Sequence, residues 1–421
     1  MRTLGVSYGE PYSAVAVLND SKVTDAYMEC QFNNYTDTST FPEKAIKYLK
    51  KDYRTYGYAA FTNPKLFSDF KKRIGTLVDA YPVLVDEREA LAMSSIITKQ
   101  WDNCAVIVSD YKHTSLGYYV AGKFYWIKEF KYPNSLALFF SSSMAMLGNK
   151  PVYGEQNAIW NSINFGDIND TLEQLMLNDI IRLTEDGYSL LGDYENFLGP
   201  YKNDHNLGAT INSVYTKAIS HLATWLQTKI DSPNLAFAGI GANNFTVTHS
   251  LNKVYENVAV HTAPSGAAKA LGAAALVDYP LYENAYLGKD AKSGLSIERI
   301  AELLLKGKTV STNIGREAFS INSLGVRSKI AVPFLPILDS PDFVQHSAFC
   351  QERDFNTYFS GRQSKEDTGF VNVTAESNYK RASARTFVVS PSSNPILHRI
   401  LEITRSQGYP VLMCANRKLI V

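Results

Sequence analysis

Fourteen residues hold the densest chemistry of the chain: Gly315-Arg316-Glu317-Ala318-Phe319-Ser320-Ile321-Asn322-Ser323-Leu324-Gly325-Val326-Arg327-Ser328. Two arginines stand eleven positions apart among glycines and serines. A guanidinium keeps its charge at every ordinary pH and presents a planar fork of donors that matches two oxygens of a phosphate or carbamoyl group. Arg316, Arg327 and Ser328 are therefore candidate anion ligands. The competing reading is that the arginines tie strands together through carboxylates and backbone carbonyls.

Further candidates lie upstream. Asn234 to Phe245 reads as strand, glycine turn, helix, and a turn through Gly239 and Gly241 with Asn244 at its end can aim free N–H groups at a nucleotide phosphate. An ordinary tight turn has the same sequence. Ser265 and Gly266 open a helix of small residues running past Gly272 under the same logic. Lys269, in its first turn, either meets a phosphate or lies in solvent. Asp110 closes the strand pattern Cys104 to Ser109. His113 and His261 are general-base candidates or plain hydrogen-bonding side chains.

The elements that must position these groups read as α/β with antiparallel hairpins. Leu4 to Val23 alternates and turns at Asn19-Asp20-Ser21-Lys22. Asn103 to Phe130 repeats the device around Gly122-Lys123. Helical spacing covers 134–150, 170–192 and 208–230. The polar run Gly288 to Gly294 marks a boundary, giving units 1–288 and 289–421, and Ser296 caps the next helix. The chain ends in strand, helix, strand: 386–390, 396–407 and 410–415.

Composition excludes several classes. A net charge of +1 over 421 residues offers no global attraction to nucleic acid or membrane. The basic stretch Lys44 to Arg73 is read as a solvated face. Cys30, Cys104, Cys350 and Cys414 have no paired spacing, so neither a disulfide framework nor a zinc site is expected. With neither a signal-peptide pattern nor an apolar stretch of membrane-spanning length, the expected location is cytoplasmic.

Taken in order, these pieces resemble the ATP-dependent O-carbamoyltransferases of the NodU/CmcH type. The stretch from Gly315 is similar to the family pattern GRxEFGPRALGNRS, with Ala318 at its acidic position and Asn322 at its middle arginine. Colinear matches include Ser115-Leu116-Gly117, Tyr132 to Leu138, Gly154-Glu155, Ala238-Gly239, Asn244, Ala270 to Ala274 and Tyr409 to Leu412. The resemblance implies an actin/Hsp70/sugar-kinase-like duplicated core followed by a shortened YrdC-like domain. It also implies ATP and carbamoyl phosphate as substrates, a carbamoyl-adenylate intermediate, and transfer to the hydroxyl or amine of a small acceptor, in a possible homodimer. Arg316, Arg327 and Ser328 would hold carbamoyl phosphate; Gly239, Gly241, Asn244, Ser265, Gly266 and Gly272 would shape the nucleotide site; Arg316, Arg327 and Asp110 would be catalytic.

Departures cluster at chemical positions. Glu87 and Leu91 stand where the family has its metal-binding histidines, Gly266 replaces its aspartate, and Asn157 replaces a lysine. Asp110 is left as the one ligand candidate, so the iron-type metal site is expected to be lost. An oxygen site rebuilt from Asp86, Glu87 and Asp110, suited to Mg²⁺, is the alternative. A chain with these losses is either a working transferase or a pseudoenzyme that binds nucleotide or a partner, or acylates by another ATP-dependent route.

Overall fold

The computed structural model describes residues 1–33, 38–49, 53–147, 166–191, 194–201, 205–261, 263, 265–291, 294–320, 325–332, 346–358, 370–372 and 383–416. Gly154, Glu155, Asn157, Asn322 and Leu324 lie outside the described residues.

The opening hairpin forms where the turn residues demand it. Strands β1 (Arg2–Ser7) and β2 (Ala14–Asn19) run antiparallel, and β2 turns into β3 (Lys22–Met28) through Asp20 and Ser21, with φ of 49° and 57°. Two consecutive positive φ values twist a two-residue loop to match its strands. Strands β4 (Thr55–Phe61) and β5 (Asp79–Leu84) then add parallel to β1, giving the order β3-β2-β1-β4-β5. Parallel neighbours need crossovers, supplied by the helices Glu43–Leu49 and Phe67–Leu77.

The second sheet repeats this plan. Strands β6 (Asn103–Asp110), β7 (His113–Val120) and β8 (Lys123–Lys131) form the antiparallel part, with Ala121 and Gly122 turning at φ 47° and 82°. A separate hairpin, β9 (Ile181–Thr184) and β10 (Gly187–Leu190), precedes β11 (Asn234–Ala238) and β12 (Asn257–Ala259). The order β8-β7-β6-β11-β12 matches the first sheet position for position. This is the duplicated core of the actin/Hsp70/sugar-kinase-like fold.

Two helices, Glu87–Ile96 and Ser265–Val277, lie between the sheets. Their Leu91, Ile96, Ala267 and Leu271 share one apolar core with Ala14 and Leu18 of β2, Val106 and Val108 of β6 and Ala236 of β11. They meet so closely that a Cβ on Gly272 would lie 1.7 Å from the Ala90 carbonyl oxygen. The outer face of the second sheet is covered by Leu136–Met146, Asp170–Asp179 and the long helix His205–Lys229. The helix expected over 170–192 stops at Asp179. Ile181 to Leu190 instead closes a hairpin through the two-residue loop Glu185-Asp186, because strand alternation replaces helical spacing there.

After β13 (Asp290–Ala291) the second unit contributes β14 (Val310–Ser311), β15 (Gly315–Arg316), β16 (Ser328–Ala331), β17 (His346–Cys350), β18 (Phe370–Asn372), β19 (Ser383–Val388) and β20 (Val411–Asn416). Six of them form one mixed sheet, β14-β16-β20-β17-β19-β18, while β13 pairs with β15. The amphipathic helices Ile297–Leu305 and Pro395–Ser406 pack on it through Ile300, Leu304, Leu397 and Leu401. Ser296 caps the first of these, accepting from the Arg299 N–H at 3.2 Å. The core of this unit also takes in Ala285 and Tyr286. Among the described residues no helix is long and apolar enough to cross a membrane.

Candidate functional site

Asp110 ends β6, and the two-residue turn Tyr111-Lys112 returns the chain into β7. That turn points at the helix Glu87–Ile96, whose first residue is Glu87, and at the loop after β1, where Glu10 follows Gly9. The helix Ser265–Val277 enters from the side and brings Lys269. One carboxylate oxygen each from Glu10, Glu87 and Asp110 lies within 4.8 Å of the others.

Lys269 occupies the centre of this triad. Its Nζ makes short ion pairs with Glu10 and Glu87 and lies 3.2 Å from Asp110, and the side chain is 3% exposed. An ammonium has three N–H donors; two serve Glu10 and Glu87, and Asp110 adds its charge as an ion pair. Lys112 closes the outer side, pairing with Glu10 and, at 3.0 Å, with Glu87. Three carboxylates against two ammoniums leave a net charge of −1.

Burial works against the charge of Lys269, but Asp110, Glu10 and Glu87 overrule it and hold the ammonium well above its ordinary range. Burial likewise pushes the Glu10 carboxyl up, and Lys269 and Lys112 together bring it down to about 2. A carboxyl held below its unfolded value stabilises the fold fully above about pH 4.5 and loses that contribution as pH falls toward 2. Urea midpoints measured from pH 6 to pH 3 are therefore expected to drop below pH 4.5, with a shallower drop in Glu10→Gln.

Further hydrogen bonds fix Asp110: Ser265 Oγ donates to Oδ2 at 3.0 Å and the Tyr111 N–H to Oδ1 at 3.0 Å. His113, opposite Asp110 in the β6–β7 register, is buried, and burial lowers its pKa despite the nearby carboxylates Asp110 and Glu87. Its Nδ1 lies 3.1 Å from Ser115 Oγ. His261 is buried elsewhere, its Nδ1 accepting from the Ala263 N–H at 2.9 Å and its pKa pushed by burial to about 3. It is a neutral, internally bonded side chain.

The structure thus gathers part of the expected set and redistributes the rest. Gly239 (φ 88°) packs on the end of β6, where a Cβ would lie 2.4 Å from the Ser109 carbonyl oxygen and 3.3 Å from Asp110 Cβ. Gly241 abuts Ser109 and Tyr215, and Gly266 the Pro11 carbonyl, so with Ser265 and Asp110 these residues do converge. Asn244 caps the helix Phe245–Leu251, accepting from the Thr246 N–H at 3.1 Å and donating to Asn212 at 2.8 Å. Gly272 serves the helix–helix contact with Ala90.

Three expectations need correction. Asp110 is not left alone, because Glu10 and Glu87 join it. Asp86 is not part of this group: it caps the helix Glu87–Ile96 through the Arg88 and Glu89 N–H groups and pairs with Arg88. Lys269 is neither solvated nor turned toward a ligand. Leu91 is fully buried in the apolar core between the sheets.

The arginines sit in the second unit, 289–421, with protein partners. Arg316 donates to the carbonyls of Thr24 (3.0 Å), Leu287 (2.5 Å) and Gly288 (3.1 Å) and to Asp25 Oδ1 (2.9 Å), which ties β15 to β3. These contacts match the strand-tying reading. It borders a cavity of about 630 Å³ where Lys22 and Arg316 face Asp25, Glu283 and Asp290, two positive charges against three negative. Such a balance does not favour a polyphosphate. Arg327 pairs with Glu317 at 3.1 Å and its side chain is 39% exposed. Ser328 is buried, its carbonyl accepting from Thr312 Oγ1 at 3.0 Å.

No protein-family model matches the chain, and no curated protein matches it. Among solved structures it is similar to component A of (R)-2-hydroxyglutaryl-CoA dehydratase from Acidaminococcus fermentans, at 14% identity over 66% of this chain and 98% of that one, with a TM-score of 0.42. It is also similar to a ROK family glucokinase from Streptomyces griseus in complex with glucose and AMPPNP, at 13% identity, 66% and 99% coverage and a TM-score of 0.35. A ROK hexokinase from Thermus thermophilus gives 12%, 66% and 98%, and 0.36. At these TM-scores the likenesses say nothing about activity, and the fold assignment rests on the repeated strand order.

Proposed function

We propose that this chain is a carbamoyltransferase-like protein that has given up metal-dependent carbamoyl transfer in its first unit and acts there as a nucleotide-binding pseudoenzyme, with ATP as its nucleotide. The observation that carries this reading is Lys269 at the centre of Glu10, Glu87 and Asp110. The residues present do not fit an iron-type metal ion: the histidine positions implied by the resemblance hold Glu87, already paired, and Leu91, buried in apolar core. To reach Lys269 an acceptor hydroxyl would have to displace one of these ion pairs. Gly239 and Gly241 are the backbone positions that the resemblance implies for a nucleotide phosphate.

A second reading has its own support. Arg327, paired with Glu317 among the described residues and with a partly exposed guanidinium, is still placed to meet an anion. On that reading the second unit, a shortened YrdC-like domain, still forms carbamoyl-adenylate from ATP and carbamoyl phosphate. One assay separates the two: conversion of ATP to AMP and pyrophosphate with carbamoyl phosphate, with and without Mg²⁺ or Fe²⁺, alongside thermal stabilisation by ATP. The pseudoenzyme reading expects a raised melting temperature with ATP and no turnover. Turnover abolished in Arg327→Ala establishes the second reading, and neither stabilisation nor turnover overturns both.

A further inference from the structure

The ion pairs of the site join parts of the molecule that belong to different sheets. Glu10 extends from β1 in the first lobe and Asp110 and Lys112 belong to the β6–β7 turn of the second, while Glu87 opens the helix that packs on β6 and β11 and Lys269 lies on the helix that packs on β1 and β2. Lys112 therefore pairs across the cleft with Glu10, and Lys269 pairs across it with Glu87 and Asp110. Next to Glu87, Arg88 anchors the start of its helix to the second sheet, 3.2 Å from Glu129 of β8 and 5.0 Å over the Trp126 ring. Behind these contacts the lobes share the apolar core around the two central helices. The cleft is thus apolar and permanent at its back and ionic at its front. The ionic part is graded: Lys269 is buried, while the Lys112 side chain is 50% exposed.

We propose that this network is a clamp that holds the two lobes closed, with Lys112 as its releasable member. The buried pairs of Lys269 are shielded from salt and stay made. The half-exposed pairs of Lys112 are weak and screened, so they set how often the front of the cleft parts. The clamp is independent of which ligand, if any, the cleft accepts.

The test places spin labels on the exposed positions Lys65, after β4, and Lys123, at the start of β8, as Lys65→Cys and Lys123→Cys; the four native cysteines are buried. Distance distributions are recorded at about 0.05 M and about 0.5 M salt, where the screening length falls severalfold. In the otherwise wild-type chain a longer-distance population is expected to grow about three- to fivefold at high salt, the change that losing an exposed pair permits. With Lys112→Met that population is expected at both salt concentrations, and with Lys112→Arg it is expected to behave as in the wild-type chain. A distribution insensitive to salt and to Lys112→Met overturns the clamp. So does a change shared equally by Lys112→Arg, which reports packing rather than charge. Should Lys112→Met fail to fold, the salt series on the otherwise wild-type chain decides alone.

Discussion

Lys269→Met is expected to destabilise the chain by about 3–5 kcal/mol, the cost of removing one partner from a buried ionic group. Methionine fills similar volume, so the loss is electrostatic: Glu10, Glu87 and Asp110 face one another with only Lys112, on the outer side, to offset them. Urea denaturation at pH 7 measures the size of the effect. Its origin is read from Lys269→Met combined with Asp110→Asn and Glu87→Gln, which is expected to recover much of the loss. A Lys269→Met variant as stable as the wild type would show that the triad is solvated rather than held by the lysine. Lys269→Arg is expected to rescue poorly, because a planar guanidinium does not reproduce a compact ammonium among three convergent carboxylates.

Gly272→Ala is the second large effect, and here two principles oppose each other. In a helix interior alanine is favoured over glycine by about 1 kcal/mol. Against that, the new Cβ would lie 1.7 Å from the carbonyl oxygen of Ala90, closer than any contact tolerates, so the helices Glu87–Ile96 and Ser265–Val277 must separate. Overpacking of this kind costs about 1–3 kcal/mol and sometimes more. The obstruction is backbone, which no side chain can relieve by moving, so the cost lies at the top of that range and the net loss is expected at about 2 kcal/mol. The same geometry predicts that Ala90→Gly will not rescue Gly272→Ala, since the clashing oxygen remains. Chemical denaturation of the single and double variants checks both statements.

Much of the fold was legible because the chain marks its turns. Asp20-Ser21 and Ala121-Gly122 announce their hairpins, and Ser296 announces the helix it caps. The duplicated plan follows from finding the same device twice. The 170–192 stretch misled because Leu172 to Ile180 has genuine helical spacing, and the change to strand alternation at Ile181 is only one turn of helix away. The site was only partly legible. Asp110 and the glycines around it were visible, but Glu10 stands 77 residues from Glu87 and 259 from Lys269, and no local pattern records that three such segments meet. One signal was available: Lys269 interrupts a helix otherwise made of small apolar residues. A lysine in a helix buried all round needs a carboxylate partner, and Glu10, Glu87 and Asp110 are the partners it finds. Arg316 illustrates the opposite case. Its sequence context pointed to an anion, while its donors are taken up by carbonyls of neighbouring chain, which sequence spacing does not reveal.

Lys269 has a consequence for how the site depends on its surroundings. A dissociable ion is present in proportion to its concentration and affinity, so a site built on one is filled or emptied by mass action. A lysine side chain is synthesised with the polypeptide, at one per site. The positive charge among Glu10, Glu87 and Asp110 is therefore fixed at unit occupancy from the moment the chain folds. A chelator cannot remove it, scarcity of metal cannot dilute it, and no competing cation can substitute for it without first breaking the fold around the helix that carries it.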